Sequence, residues 1–234
     1  FVNYAQQRNW AQQNIPLDTE WVFHLDADER LTPELRTWLQ REFPAQTAHH
    51  DGFLFPRRAV FMGRWIKYGA HYPNNYHARL YRVGMGHCEE KAYDQHFICT
   101  GRETIIYKRD IINVLTDSLD KFILSHNKWA TQEAAGIMSR NDPGEVVAKW
   151  NGNPVQRRRW LKNQVFERTP LFARSFVYFG YRYFIRLGFL DGPEGLIFHF
   201  LQGCWFRFLV DAKVYEARQK EQLALPQAKE PALK

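Results

Sequence analysis

Residues Trp21-Val22-Phe23-His24-Leu25-Asp26-Ala27-Asp28-Glu29 decide the fold class. A short, mostly apolar run ends abruptly in three acids. Such a run, bounded by polar residues, reads as a buried strand. This one delivers carboxylates at its C-terminal edge. Working backward, residues 4–14 are rich in helix formers, and Pro16 stops them. Working forward, Thr32-Pro33-Glu34-Leu35 opens a second helix. Thr32 is its N-cap, Pro33 takes the first helical position, and Glu34 puts an acid in the first turn. Leu35 stands where a capping box needs Glu or Gln, so that box is absent. Leu35, Trp38, Leu39 and Phe43 recur at spacings of three and four, which gives the helix one apolar face. Helix, strand and helix in this order place the chain in the α/β class.

Further strands follow. Asp51-Gly52-Phe53-Leu54-Phe55 is a turn and strand, and residues 77–83 are another. Between them, residues 59–72 with Gly63 and Gly69 read as a loop or hairpin. Residues 87–110 read as irregular, with a short strand at 104–107. A long helix is expected over 119–140, through Phe122, Ile123, His126, Trp129 and Ala130. Asn151-Gly152-Asn153-Pro154 is a loop signal and the expected domain boundary. Beyond it, 157–168 and 171–187 read as helices, 187–195 as a break, and about 194–218 as a last helix.

The 234 residues allow one domain plus an appendage. Composition is ordinary for a globular chain, with 45% hydrophobic and 24% charged residues, and excludes a disordered or fibrous protein. Cys88, Cys99 and Cys204 match neither a zinc spacing nor a disulfide framework, so they read as inert thiols in a reducing compartment. Charge is unevenly placed. Residues 1–149 hold 18 basic and 18 acidic side chains; residues 150–234 hold 14 and 7. Segment 171–210 also carries 13 of the chain's 37 aromatic rings. A basic, aromatic-rich region points to an anionic surface. No window holds the roughly 20 apolar residues that a spanning helix needs. The expectation is a helix pair lying in the membrane interface.

Asp26 and Asp28 lie two residues apart at a strand end, an arrangement that suits one hard divalent cation. Mg²⁺ and Mn²⁺ take oxygen ligands and keep positions open for phosphate oxygens. A cation so held neutralises a departing diphosphate. A phosphatase of the Asp-x-Asp type needs a small residue at position 30, and a calcium loop needs a third ligand there and a glycine at 31. Arg30 and Leu31 disfavour both. The bland reading is an acidic turn that merely caps a helix.

The ordered set extends along the chain: Gln7-Arg8-Asn9, then Leu25-Asp26-Ala27-Asp28-Glu29, Asp51-Gly52-Phe53, Pro56-Arg57-Arg58 and Gly63-Arg64-Trp65-Ile66. It continues through Tyr72-Pro73, Arg79-Leu80-Tyr81-Arg82, Glu90-Lys91 and Gly188-Phe189-Leu190-Asp191-Gly192. Over residues 1–218 it resembles glycosyltransferase family 2, of the bacterial lipopolysaccharide-core and surface-polysaccharide type. The resemblance implies an α/β fold of the GT-A kind, a Rossmann-like mixed sheet with flanking helices that lacks its first two βα units. Those units amount to roughly 60–80 residues. It implies Asp26 and Asp28 at the metal (Mn²⁺ or Mg²⁺) and donor diphosphate, with Arg8 near the donor nucleotide. It implies inversion by a carboxylate base, Glu90, with Glu89 and Asp94 as alternatives. Arg57, Arg58, Arg79 and Arg82 are candidate phosphate contacts, and Trp65, Tyr72 and Tyr76 candidate sugar platforms. Strand alternation sends Arg57 and Arg58 to opposite faces. The relatives' third metal ligand, a histidine before the long helix, has no counterpart here; Asp110 is a possible substitute, and His126 reads as structural.

The expected organisation is a catalytic domain over 1–150, a basic aromatic membrane-associating region over 151–218 and a disordered tail over 219–234. The expected partners are a nucleotide-sugar donor, a saccharide or lipid-linked acceptor and the cytoplasmic face of a bacterial inner membrane. Nucleic acid is not expected: Arg157-Arg158-Arg159 and the basic tail come with no recognition motif. The competing expectation is a membrane-surface scaffold or degenerate transferase fragment without activity.

Overall fold

The computed structural model describes residues 3–69, 72–73, 75–90, 95–116, 118–139, 147–161, 164 and 168–224. Helix α1 (Tyr4–Asn14) leads to strands β1 (Trp21–Phe23) and β2 (Glu29–Leu31), then α2 (Pro33–Arg41) and the single turn α3 (Phe43–Gln46). Strands β3 (Gly52–Phe61), β4 (Arg64–Ile66), β5 (Tyr76–Arg82), β6 (Gly86–Cys88), β7 (Phe97–Cys99), β8 (Glu103–Ile105) and β9 (Ile111–Thr116) follow. The rest is helical: α4 (Leu119–Ser139), α5 (Pro154–Leu161), α6 (Ala173–Gly180), α7 (Gly192–Phe198) and α8 (Phe206–Ala224). Two π-helical turns, Tyr181–Ile185 and His199–Trp205, continue α6 and α7.

The main sheet runs β1-β5-β3-β9-β2, with β4 and β8 also pairing β3. β3 is antiparallel to β5 and parallel to β9, so the sheet is mixed. This is an α/β architecture with flanking helices. The hub is β3, whose apolar run Phe53-Leu54-Phe55 is buried on both faces, as a central strand requires. On one face, Leu35 and Trp38 of α2 pack against Phe53, Phe55, Leu80 and Ile111. On the other, Leu54, Tyr76 and Ala78 receive Phe97, Ile105 and Val155 of α5. Thr32 caps α2 as expected, accepting from the Leu35 amide at 3.2 Å while its own hydroxyl donates to the Asp110 carbonyl at 3.0 Å.

Several boundaries differ from the sequence expectation. β3 does not end at Phe55; it continues through Pro56-Arg57-Arg58 to Phe61. Proline has no ladder donor, yet Pro56 sits where the strand changes partners. Residues 52–56 pair β5, whereas 57–61 pair β9. Strand β9 was not anticipated, although Ile111-Ile112-Asn113-Val114 is β-branched, and neither was β2, which is only three residues long. The irregular stretch 87–110 contains the β6–β7 hairpin as well as β8. The disorder expected from residue 219 is not found over 219–224, because α8 continues to Ala224. Gln, Lys, Glu and Leu there are helix formers, and Lys220 bonds Glu216 one turn back at 2.7 Å. Residues 225–234 lie outside the described residues. Beyond position 150, α5 is tied to the sheet by Val155 and by Arg159, which ion-pairs with Glu89 at 3.2 Å. Among the described residues, no helix is long and apolar enough to cross a membrane.

Candidate active site

The turn between β1 and β2 carries Asp26, Ala27 and Asp28. It is closed by its own atoms: the Glu29 amide donates to the Asp26 carbonyl at 2.9 Å, and the Asp26 amide donates to Glu29 Oε2 at 3.1 Å. Glu29 is fully buried in its side chain. Three arginines from distant elements converge on these two carboxylates. Arg8 of α1 donates to Asp26 Oδ1 at 2.7 Å. Arg79 of β5 donates to Asp26 Oδ2 and to Glu29 Oε1, both at 2.7 Å. Arg57 of β3 reaches Glu29 Oε1 at 3.4 Å. Arg79 gets there because of a bulge. Phe53 pairs Leu80 but Leu54 pairs Ala78, so Arg79 is the extra residue in β5. Bulges re-aim a side chain in this way next to functional sites.

Three guanidiniums against two carboxylates leave the cluster electropositive. Burial raises the Asp26 pKa, but Arg79, Arg8 and Arg57 together outweigh it and hold the carboxyl below its usual value. His24, one residue before the acidic turn, is pushed down to about 4, by burial first and then by Arg79 and Arg8. Its ring stacks on Phe97 at 4.2 Å, and the same Phe97 ring lies under Arg8 at 5.3 Å and Arg79 at 5.5 Å. Asn9, beside Arg8, has a different task. Its side chain bonds the Cys88 backbone twice, donating to the carbonyl at 2.8 Å and accepting from the amide at 2.7 Å. It therefore fixes β6, the strand that leads to Glu89 and Glu90.

Asp28 stands apart from this cluster. Its carbonyl accepts from the Val114 amide at 3.0 Å, which ties the turn to β9. Its carboxylate has no hydrogen bond or ion pair among the described residues and lines a groove beside α4. On β9, Asn113 pairs Glu29 across the strands and lies on the same sheet face. Its buried Oδ1 accepts no hydrogen bond among the described residues. For a hard cation, then, the Asp28 carboxylate is open and chemically suited, and Asp26 is available only by sharing it with Arg8 and Arg79. Of the two carboxylates, Asp28 is the one that could hold a hard cation such as Mg²⁺ or Mn²⁺. Among the described residues, no group of three His, Cys, Asp or Glu side chains converges as a metal site.

Two of the candidate bases, Glu89 and Glu90, differ in their surroundings. Glu89 is buried, bonded by Arg159 at 3.2 and 3.3 Å, with His96 at 3.5 Å. Glu90 is exposed at the end of β6. Asp94 lies outside the described residues. A second cluster gathers around Asp110, which is fully buried. Arg58 donates to it at 2.5 Å, Tyr72 at 3.3 Å, and the Arg58 guanidinium covers the Trp65 ring at 4.5 Å. Arg57 and Arg58 thus serve different clusters. Arg82 belongs to neither; it reaches Glu20 and the Thr47 carbonyl and stacks over Trp21. Tyr76 is buried in the core. His126 is also buried, with its Nδ1 2.8 Å from the Phe122 carbonyl.

No family model matches the chain. Sequence reasoning missed Glu29 as the buried partner of two arginines, Phe97 as their platform, and Asn113. Glu29 was visible as the third acid of the turn. Phe97 and Asn113 gave no signal, because a single ring or amide in a short strand is ordinary.

Proposed function

We propose that this chain is an inverting, metal-dependent glycosyltransferase of the GT-A kind. It would move a sugar from a nucleotide-sugar donor to a saccharide or lipid-linked acceptor at the cytoplasmic face of a bacterial membrane. The observation that carries the reading is the Asp26–Asp28 turn, with one carboxylate open and the other set among Arg8, Arg57 and Arg79. Such a place holds a diphosphate at the arginines beside an open carboxylate. Guanidiniums bind phosphate oxygens bidentately. A bound Mg²⁺ or Mn²⁺ held by Asp28 and Asp26 would supply charge neutralisation for the leaving diphosphate. Glu90 is the base: it takes the proton of the acceptor hydroxyl as that oxygen bonds to the anomeric carbon. The bond from that carbon to the diphosphate breaks, and the nucleoside diphosphate leaves. A base so placed contributes roughly 10²–10⁴-fold.

The membrane part of the proposal is supported by the inverted polarity of the C-terminal helices. Phe176, Val177, Phe184 and Ile185 face outward, with Ile185 71% exposed, while Arg174, Arg182, Asp191 and Asp211 are buried. Phe184 adjoins Tyr183 and Phe179, and Tyr183 adjoins Phe189, so the rings form one patch, and exposed Arg186 flanks it. An apolar area with basic residues at its rim suits an anionic bilayer surface. One observation favours the scaffold reading instead: both Asp26 oxygens are already satisfied by arginines.

Thermal melting with uridine and guanosine diphosphates, each with and without Mn²⁺ or Mg²⁺, separates the two readings. The transferase reading expects a nucleoside diphosphate to raise the midpoint, with a cation-dependent part that Asp28→Asn removes. That variant's own midpoint should match wild type, since Asp28 has no side-chain partner among the described residues. No shift with any diphosphate and cation would leave the scaffold.

A further inference from the structure

The arginine cluster beside the acidic turn is short of one negative partner. Arg8, Arg57 and Arg79 bond two carboxylates, Asp26 and Glu29. Toward those carboxylates Arg8 and Arg79 each use only Nη2. A guanidinium held at one nitrogen turns about that bond, whereas a two-point fork fixes its plane. Arg79 shows the shortfall most clearly. Its side chain is 5% exposed, and its buried Nε–H finds no hydrogen-bond acceptor among the described residues. An unmet buried donor is costly unless something else compensates it. Arg8 has one further neighbour, the Cys88 thiol, which is a weak partner.

Both guanidiniums share the Phe97 ring, 5.3 Å from Arg8 and 5.5 Å from Arg79. The face of an aromatic ring is negative and attracts a cation within about 6 Å of its centroid. It also serves as a weak acceptor for an N–H. The ring is itself held in place. Strand β7 pairs Phe97 with Cys88, the His24 ring stacks on it at 4.2 Å, and it packs against Leu54, Tyr76 and Ala78 of the core. Tyr81 fixes His24 in turn, with its hydroxyl 2.8 Å from His24 Nε2. A third carboxylate in this place would also hold the arginines, but it would cancel the cluster's excess positive charge. A ring holds them and leaves that charge in place.

We infer that Phe97 is a positioning residue: its ring face fixes Arg8 and Arg79 without neutralising them, and so keeps both available to a diphosphate. This role rests on the diphosphate part of the proposed function. It assigns no bond-making step to Phe97.

Calorimetric titration of the full chain with inorganic pyrophosphate tests it. Phe97→Leu keeps an apolar side chain in the core but has no ring face, and it should weaken binding about tenfold. Phe97→Tyr, which keeps the ring, should restore most of the affinity. Placing 4-fluorophenylalanine and then 3,4,5-trifluorophenylalanine at this position keeps the shape and drains negative charge from the ring face. Affinity should fall in that order, between wild type and Phe97→Leu. Melting midpoints show which variants are folded. Should Phe97→Leu fail to fold, the nearly isosteric fluorinated pair still decides. A ring that merely fills space gives the fluorinated proteins wild-type affinity, and that result overturns the role, as does wild-type affinity in folded Phe97→Leu. Absence of pyrophosphate binding by wild type fails the diphosphate reading itself, and the role falls with it.

Discussion

The sheet half and the C-terminal helical half of this molecule differ in what they leave exposed. In the sheet half, Trp38, Phe53 and Phe55 fill the core, and the charged cluster runs from buried Glu29 and Arg79 out to part-exposed Arg8 and Asp26. In the helical half, charge is inside as well, and Phe176, Phe184 and Phe189 lie outside while Phe198 and Phe206 are buried. Arg174 clamps Asp211, which also accepts from the Phe172 amide at 2.7 Å; Arg182 donates to the Gly69 carbonyl at 3.2 Å; and Arg207 grips Glu133 at 2.8 Å. Buried ion pairs are poor sources of net stability. Here they join helices that also share a small apolar core of Ala130, Phe206 and Val210. The contrast is what the proposed function would use: an exposed apolar patch for a membrane surface, and a charged cluster for a diphosphate.

The two halves should fail differently. Asp211→Ala strands the buried Arg174 guanidinium, and unfolding measured in denaturant should show a loss of about 3–5 kcal/mol. A loss under 1 kcal/mol would mean that the internal charges do not hold the helices. Replacing Phe184 and Ile185 together with serine should leave stability nearly unchanged and cut affinity for anionic vesicles about a hundredfold or more, at roughly 1.5–3 kcal/mol per side chain inserted. Cosedimentation of wild type and variant with phosphatidylglycerol vesicles measures this. Equal binding by both would break the contrast between the halves.

A smaller effect comes from His126, at the seam where α4 meets α8. Its folded pKa of about 4 lies below the ordinary 6.5, so the unfolded chain binds its proton first. The stability that it contributes is complete above about pH 6.5 and is lost as pH falls toward 4. Between pH 7 and pH 5 this amounts to about 2 kcal/mol. His126→Gln should flatten that part of the pH–stability curve, and an unchanged slope would contradict the assignment. Least of all, Lys220→Ala removes an exposed pair with Glu216 and should leave the melting midpoint where it was.

Much of this was legible in residues 21–43. An apolar run into acids gave β1 and its turn, and Thr32-Pro33 gave the start of α2, because both signals are local. What stayed hidden depends on pairing across the chain. β2 has three residues and exists because β9 offers it an edge. β9 itself is anchored by β3, about fifty residues earlier. The sequence pointed to Asp26 and Asp28 as a pair. The fold gives them different surroundings, since Arg79 reaches Asp26 only through a bulge that periodicity cannot announce. The burial of Glu89 was equally invisible, because it goes with a bond to Arg159, seventy residues away.

The measurement closest to the central claim is release of nucleoside diphosphate from a panel of nucleotide sugars, with Mn²⁺ or Mg²⁺ present and the protein bound to anionic vesicles. The account predicts cation-dependent release from at least one donor. Asp28→Asn should abolish it and Glu90→Gln should lower it by roughly 10²-fold or more, with both variants folded. Turnover that is unchanged in Asp28→Asn, or no release from any donor by the vesicle-bound chain, would contradict it.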